Sequence, residues 1–235
     1  MRRHFVHFLW GSLLAILGLV FVFFISVWNG WVGYMPNMDE LSNPIDKFAS
    51  QVYSSDQQLI GTWNADNNNR VAIDYNELSP HLVHALVATE DERFYDHSGI
   101  DFIALGRAVV KRGVMGQASA GGGSTITQQL AKQLFSEKAH SMVERLLQKP
   151  IEWIIAVKLE RHFTKEEILA MYFNYFDFLH NAVGIKRAAN VYFDKEPRKL
   201  TVTEAAMLVG LCKNPSMFNP LRHPERCVQR RNVVL

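Results

Sequence analysis

Residues Phe8 to Val27, FLWGSLLAILGLVFVFFISV, form a run of twenty positions without a single charge. At about 1.5 Å per residue, a helix of that length covers about 30 Å, the thickness of the hydrocarbon core of a bilayer. The run therefore predicts one membrane-spanning helix. Arg2 and Arg3 precede it, which keeps the short N-terminus cytoplasmic, and Trp28, Trp31 and Tyr34 follow it as interfacial anchors. A cleaved signal peptide is the competing reading, but the run is longer than the usual apolar core of such a peptide and no A-x-A-like site follows it. Whatever folds after this helix is expected to work at the outer face of the membrane it spans.

The remaining length leaves room for about one domain, and with 48% hydrophobic residues the chain can bury a core. Residues 1–34 read as a stub and anchor, 35–77 as a linker with a small strand region (QVYSS, LIGTW and RVAIDY between polar turns), and 78–235 as the main domain. Beyond Pro80 almost every segment spaces its apolar residues by three and four, including PHLVHALVATEDERF, STITQQLAKQLF, MVERLLQKPIEWIIAVKLER and TVTEAAMLVGLCK, so the fold is expected to be mainly α. The final helix at RRNVVL lacks a Gly, Pro or polar terminator and reads as cut. A formal net charge of +2 gives no argument for nucleic acid, and the two cysteines have neither disulfide-framework nor metal-ligand spacing.

Three stretches carry chemistry. In ATEDERFYDHSG, Glu90 falls one turn beyond Leu86 at the edge of an apolar helix face, while Asp91 and Glu92 rotate away. Near Phe94 its carboxylate would be partly desolvated and suited to act as a general base; a solvated helix end is the equally open alternative. In GQASAGGGSTITQQLAKQ, Gly121, Gly122 and Gly123 free the backbone for positive φ and close approach. Ser124 or Thr125 can cap the following helix, whose Gln128, Gln129 and Lys132 bring donor groups. The alternative is a flexible loop joined to an ordinary helix. No Gly-Lys-Ser/Thr follows the glycines, so this is not a nucleotide-binding P-loop. In QKPIEWIIAVKLER, Glu152 is a carboxylate on the buried side with Lys149, Lys158 and Arg161 around it, which by itself describes many surface ion pairs.

In this order the stretches resemble the peptidoglycan glycosyltransferases, glycosyltransferase family 51, found as the N-terminal half of class A penicillin-binding proteins and as monofunctional transglycosylases. EDERFYDHSGID is similar to the first family motif, GGGSTITQQLAKQ to the second, QKPIE to the third, KEEILAMYFN to the fourth and NAVGIKRAANVYFDK to the fifth. Departures are Gln148 where Arg is usual, Pro150 within the third motif, Gln133 where Asn is usual, Lys186 and Arg187 where a small or acidic pair is common, and fewer glycines in FLHNAVG.

The resemblance implies a lysozyme-like, mainly helical domain that polymerises the lipid-linked disaccharide-pentapeptide lipid II. Glu90 and Glu152 would be catalytic; Ser124, Thr125, Gln128, Gln129, Lys132, Lys149, Lys158, Phe94 and Asn174 would bind substrate. It implies no tightly bound cofactor, with a divalent cation, Mg or Mn, as an option at the pyrophosphate. Implied partners are lipid II, the growing glycan, the bilayer, other cell-wall or division proteins, and a transpeptidase domain beyond residue 235, since neither S-x-x-K nor K-T-G occurs here. Two rival functions remain: a muramidase or lytic transglycosylase on the same fold, and a non-catalytic cell-wall scaffold.

Overall fold

A computed structural model describes residues 2–37, 40–41, 50–56, 59–63, 70–111, 122–136 and 141–235. Most of the 35–48 linker, the polar turn after Trp63 and the start of the glycine run, Gly121 included, lie outside these residues. Helix α1 (Arg2–Trp28) contains the uncharged run and is long and apolar enough to cross a membrane; nearly all its apolar side chains are exposed. Strands β1 (Ser50–Tyr53) and β2 (Leu59–Trp63) form an antiparallel pair with Ser50 opposite Trp63. RVAIDY, expected as a third strand, is not one. Both backbone groups of Ile73 are taken by the Asn174 side chain, whose Oδ1 accepts from the Ile73 N–H at 3.2 Å and whose Nδ2 donates to the Ile73 carbonyl at 2.9 Å, so a strand neighbour has nothing left to pair with there.

The domain is helical from Pro80 onward: α2 (Pro80–Glu90), α3 (Phe102–Val109), α4 (Ile126–Phe135), α5 (Met142–His162), α6 (Lys165–Tyr175), α7 (Ile185–Phe193), α8 (Val202–Lys213) and α9 (Pro224–Val234). Local chemistry sets the starts. Ser79 accepts the His81 N–H ahead of Pro80, and Ser141/Glu144, Thr164/Glu167 and Thr201/Glu204 form reciprocal capping boxes at α5, α6 and α8. Each such cap is worth about 1 kcal/mol. Pro150 sits inside α5, which continues through it although the residue supplies no N–H to the turn before.

One core joins these helices. Leu82 and Leu86 of α2, Ile126 and Leu130 of α4, Ile155 and Leu159 of α5, Ile168 and Phe173 of α6, and Leu208 of α8 are fully buried. Truncating any one to Ala would cost about 2–5 kcal/mol. Helix α4 packs between α5 and α6, while α2 packs on α8 and α9. The candidate base Glu90 lies at the end of α2. That helix, expected to run on through Phe94, stops at Glu90 because Asp91 leaves helical geometry (φ −157°, ψ 73°) and turns its carboxylate toward α4.

Candidate active site

Three segments far apart in sequence are pinned together around Glu90. Asp91, buried, accepts the Ile126 N–H through Oδ2 at 3.0 Å and holds His97 Nε2 at 3.0 Å, so the residue after Glu90 caps the start of α4. Thr125 Oγ1 donates to the Gly99 carbonyl at 2.7 Å and also accepts the Gln128 N–H. Gln128 Nε2 donates to the same Gly99 carbonyl at 3.1 Å. Asp101 caps α3 through the Ile103 and Ala104 amides and faces Arg93 Nε at 3.4 Å. Burial pushes the Asp101 carboxyl up, but those two amides and the Arg93 guanidinium outweigh it, and the net displacement is below the ordinary value.

The result is a cleft lined by Glu90, Arg93, Arg107, Gly122, Gly123 and Ser124 among others. Gly123 serves close approach. A Cβ on Gly123 would come 3.2 Å from Leu105 Cα and 3.3 Å from Ala108 Cβ of α3, and neither Gly122 nor Gly123 takes the positive φ expected of them.

Glu90 itself is 17% exposed and lines this cleft. Its Oε2 accepts from Gln129 Nε2 at 3.2 Å and its Oε1 faces Arg230 Nη2 at 3.3 Å. Gln129 Oε1 in turn accepts the Tyr172 hydroxyl at 3.0 Å, which fixes the amide with its NH2 toward the carboxylate. Burial drives the Tyr172 phenol far above its ordinary value, with Cys212 and Glu90 adding to the effect, so it stays a donor. The contacts that orient the Glu90 carboxylate are polar, to Gln129 and Arg230. Phe94 is fully buried in the core, against Tyr95 and His97 and beneath the Lys165 ammonium at 4.2 Å. With one hydrogen bond on each oxygen, the Glu90 carboxylate retains lone pairs that can accept a proton from a hydroxyl entering the cleft.

The other expected site residues divide. Glu152 is 2% exposed and holds the Nζ of Lys149, itself half exposed, at 2.7 Å on α5; the pair does not line the Glu90 cleft. Lys132 is exposed, one turn along α4 from Gln129. Gln128 and Thr125 are buried ties to Gly99, and Asn174 is the brace on Ile73. Lys158 stands over the Trp28 ring of α1 at 5.0 Å and is not a cleft residue. Arg230 went unread in the sequence. Its signal was there: Cys227 and Arg230 lie three apart on the buried face of α9, and a charge on such a face needs a partner.

The residues do not fit a resident cation. Glu90 faces an amide donor and a guanidinium, Glu152 faces an ammonium, and among the described residues no three His, Cys, Asp or Glu side chains converge.

Comparison with known proteins adds the following. A family model described as Transglycosylase matches residues 56–235. The chain is 39% identical over 226 residues to penicillin-binding protein 1A of Aquifex aeolicus, covering 94% of this chain and 30% of that protein. It is 39% identical over 201 residues to penicillin-binding protein 1A of Escherichia coli K12, covering 86% of this chain and 23% of that one. With penicillin-binding protein 1F of Bacillus subtilis it shares 42% identity over 167 residues, 71% of this chain and 23% of the relative. The chain thus spans less than a third of the length of these curated relatives.

Proposed function

This chain belongs to the transglycosylase family, and on that premise we propose that it is a membrane-anchored peptidoglycan glycosyltransferase that polymerises lipid II at the outer face of the cytoplasmic membrane. The observation that carries the reading is the Glu90 carboxylate, oriented by Gln129 and Arg230 and lining the same cleft as the Gly122–Ser124 segment.

In the reaction, the 4-hydroxyl oxygen of the acceptor sugar attacks the anomeric carbon of the growing chain. The bond from that carbon to the undecaprenyl pyrophosphate breaks, and the pyrophosphate leaves with the electron pair. The hydroxyl proton passes to Glu90. One direct displacement inverts the anomeric carbon. Pyrophosphate is a good leaving group and needs positive potential and hydrogen-bond donors more than an acid; Lys132 and the Ser124 hydroxyl supply them, and Lys149, held by Glu152 outside the Glu90 cleft, serves only a part of the lipid pyrophosphate that extends beyond it. A carrier lipid confined to the bilayer requires a site held at its surface, which accounts for α1. Partners on this reading are lipid II, the glycan strand and, in a longer polypeptide, a transpeptidase domain.

Polymerisation of lipid II by purified protein tests the proposal. Glu90→Gln is expected to bind lipid II and form no glycan. Release of soluble muropeptides from sacculi by the wild type, without polymer from lipid II, would instead establish a glycan-cleaving enzyme, and inactivity in both assays would leave the scaffold reading.

A further inference from the structure

The end of α1 is docked on the domain. Val27 is fully buried, Phe24 stacks on Trp153 of α5 with centroids 6.5 Å apart and planes 11° apart, and Gly33, at φ +79°, brings the departing chain against Ile151. The docking fixes the height of α5 relative to the apolar span. Trp28, the last residue of α1, then receives two cations from one face of α5: Lys158 Nζ at 5.0 Å and Arg161 Cζ at 6.0 Å from its ring centre. Glu160, between them in sequence, is turned away and bonded to Lys165 and Thr127. Among the described residues neither Lys158 nor Arg161 has a carboxylate within ion-pair distance.

We propose that Trp28, Lys158 and Arg161 form a binding site for the phosphate of an anionic phospholipid headgroup. A tryptophan closing an apolar span lies at headgroup depth, where the ring sits among glycerol and phosphate groups. Two converging cations without a protein counter-charge supply what a phosphodiester requires, and they are three residues apart, close enough for one anion. Burial pulls the Lys158 ammonium below its ordinary value, a displacement that a bound phosphate would reverse. The bland alternative is that the cations only complement the C-terminal dipole of α5, and it predicts no preference among lipids.

The site rests on α1 spanning the membrane, and the experiment separates the two claims. The full chain is reconstituted in discs of phosphatidylcholine containing a minority of phosphatidylglycerol, and spin-labelled versions of both lipids are compared for the fraction immobilised at the protein. Phosphatidylglycerol is expected to be favoured by about fivefold per cation. Lys158→Gln/Arg161→Gln should abolish the preference, and Lys158→Arg should keep it. Equal immobilisation of the two lipids by wild type, or persistence of the preference in the double variant, would overturn the site while leaving the anchor standing. A chain that fails to co-purify with the discs would overturn the anchor and the site together.

Discussion

Arg230 Nη2 lies 3.3 Å from Glu90 Oε1, joining the last helix of the chain to the residue at which α2 ends. Both side chains are largely buried, at 10% and 17% exposure. The guanidinium fixes where the carboxylate points and supplies a counter-charge that solvent only partly replaces.

Arg230→Ala should therefore do two separable things. Leaving a largely buried carboxylate oxygen without its donor should lower stability by about 1–3 kcal/mol. Loss of orientation should reduce kcat by about tenfold to a hundredfold, with KM changed much less. Arg230→Lys, which keeps the charge and loses the fork, should recover stability more fully than kcat. Lipid II polymerisation kinetics and urea unfolding of the same preparations measure both; an Ala variant with unchanged kcat would show that Gln129 alone orients the carboxylate.

Asp101 gives the domain an acid-side sensitivity. Its folded pKa lies below its ordinary value of 3.8, so its stabilising contribution is complete above that value and is lost as pH falls through the folded pKa. Asp101→Asn should flatten that part of the stability profile. It should also lower the plateau above pH 4, by about 1 kcal/mol, because a neutral cap holds the Ile103 and Ala104 amides less strongly and Arg93 loses its partner. Thermal unfolding across pH 2–6 reads both changes; parallel wild-type and variant curves would contradict the assignment.

The loop before α7 holds Leu179, His180 and Asn181 in the left-handed region, at φ 65°, 51° and 60°. This is where FLHNAVG carries fewer glycines than its family. Asn tolerates that geometry; a β-branched residue does not. Asn181→Val should cost about 1–2 kcal/mol, whereas Asn181→Gly should be neutral or slightly stabilising. Asn181 is exposed and the difference lies in the backbone, so urea midpoints should shift without a change in slope.

What could be read from the sequence was what depends on neighbours along the chain. The span Phe8–Val27 is a local pattern with a local cause and is found where expected, and the caps at Ser79-Pro80, Thr164/Glu167 and Thr201/Glu204 are equally local. Partners across the chain could not be read. Nothing near Glu90 announces Arg230, 140 residues away, and nothing in RVAIDY announces that Asn174, 101 residues from Ile73, will replace a strand. The setting of Lys158 is of the same kind: beside Glu152 in sequence it reads as a cation for substrate, and nothing local announces that the docking of α1 puts Trp28 beneath it.

Gly99 concentrates these long-range demands at one atom. Its carbonyl accepts both Thr125 Oγ1 and Gln128 Nε2, so it ties the Glu90 segment to the start of α4. It sits at φ +91°, and a Cβ there would lie 2.8 Å from the Ala156 carbonyl carbon and 2.9 Å from its oxygen. Those are backbone atoms in the middle of α5 and cannot swing aside as a side chain would. Gly99→Ala must therefore move the 97–101 segment, adding left-handed strain of about 1–2 kcal/mol to the weakening of two buried hydrogen bonds at about 1 kcal/mol each. The expected outcome is a loss of about 3 kcal/mol in urea unfolding together with a fall in polymerisation, because the cap on α4 and the cleft wall at Ser124 shift with the carbonyl. Thr125→Ser, which keeps the hydroxyl, should leave both properties close to wild type, so a Thr125→Ser variant as damaged as Gly99→Ala would mean that the methyl packing, and not the hydrogen bond to Gly99, holds the two segments together.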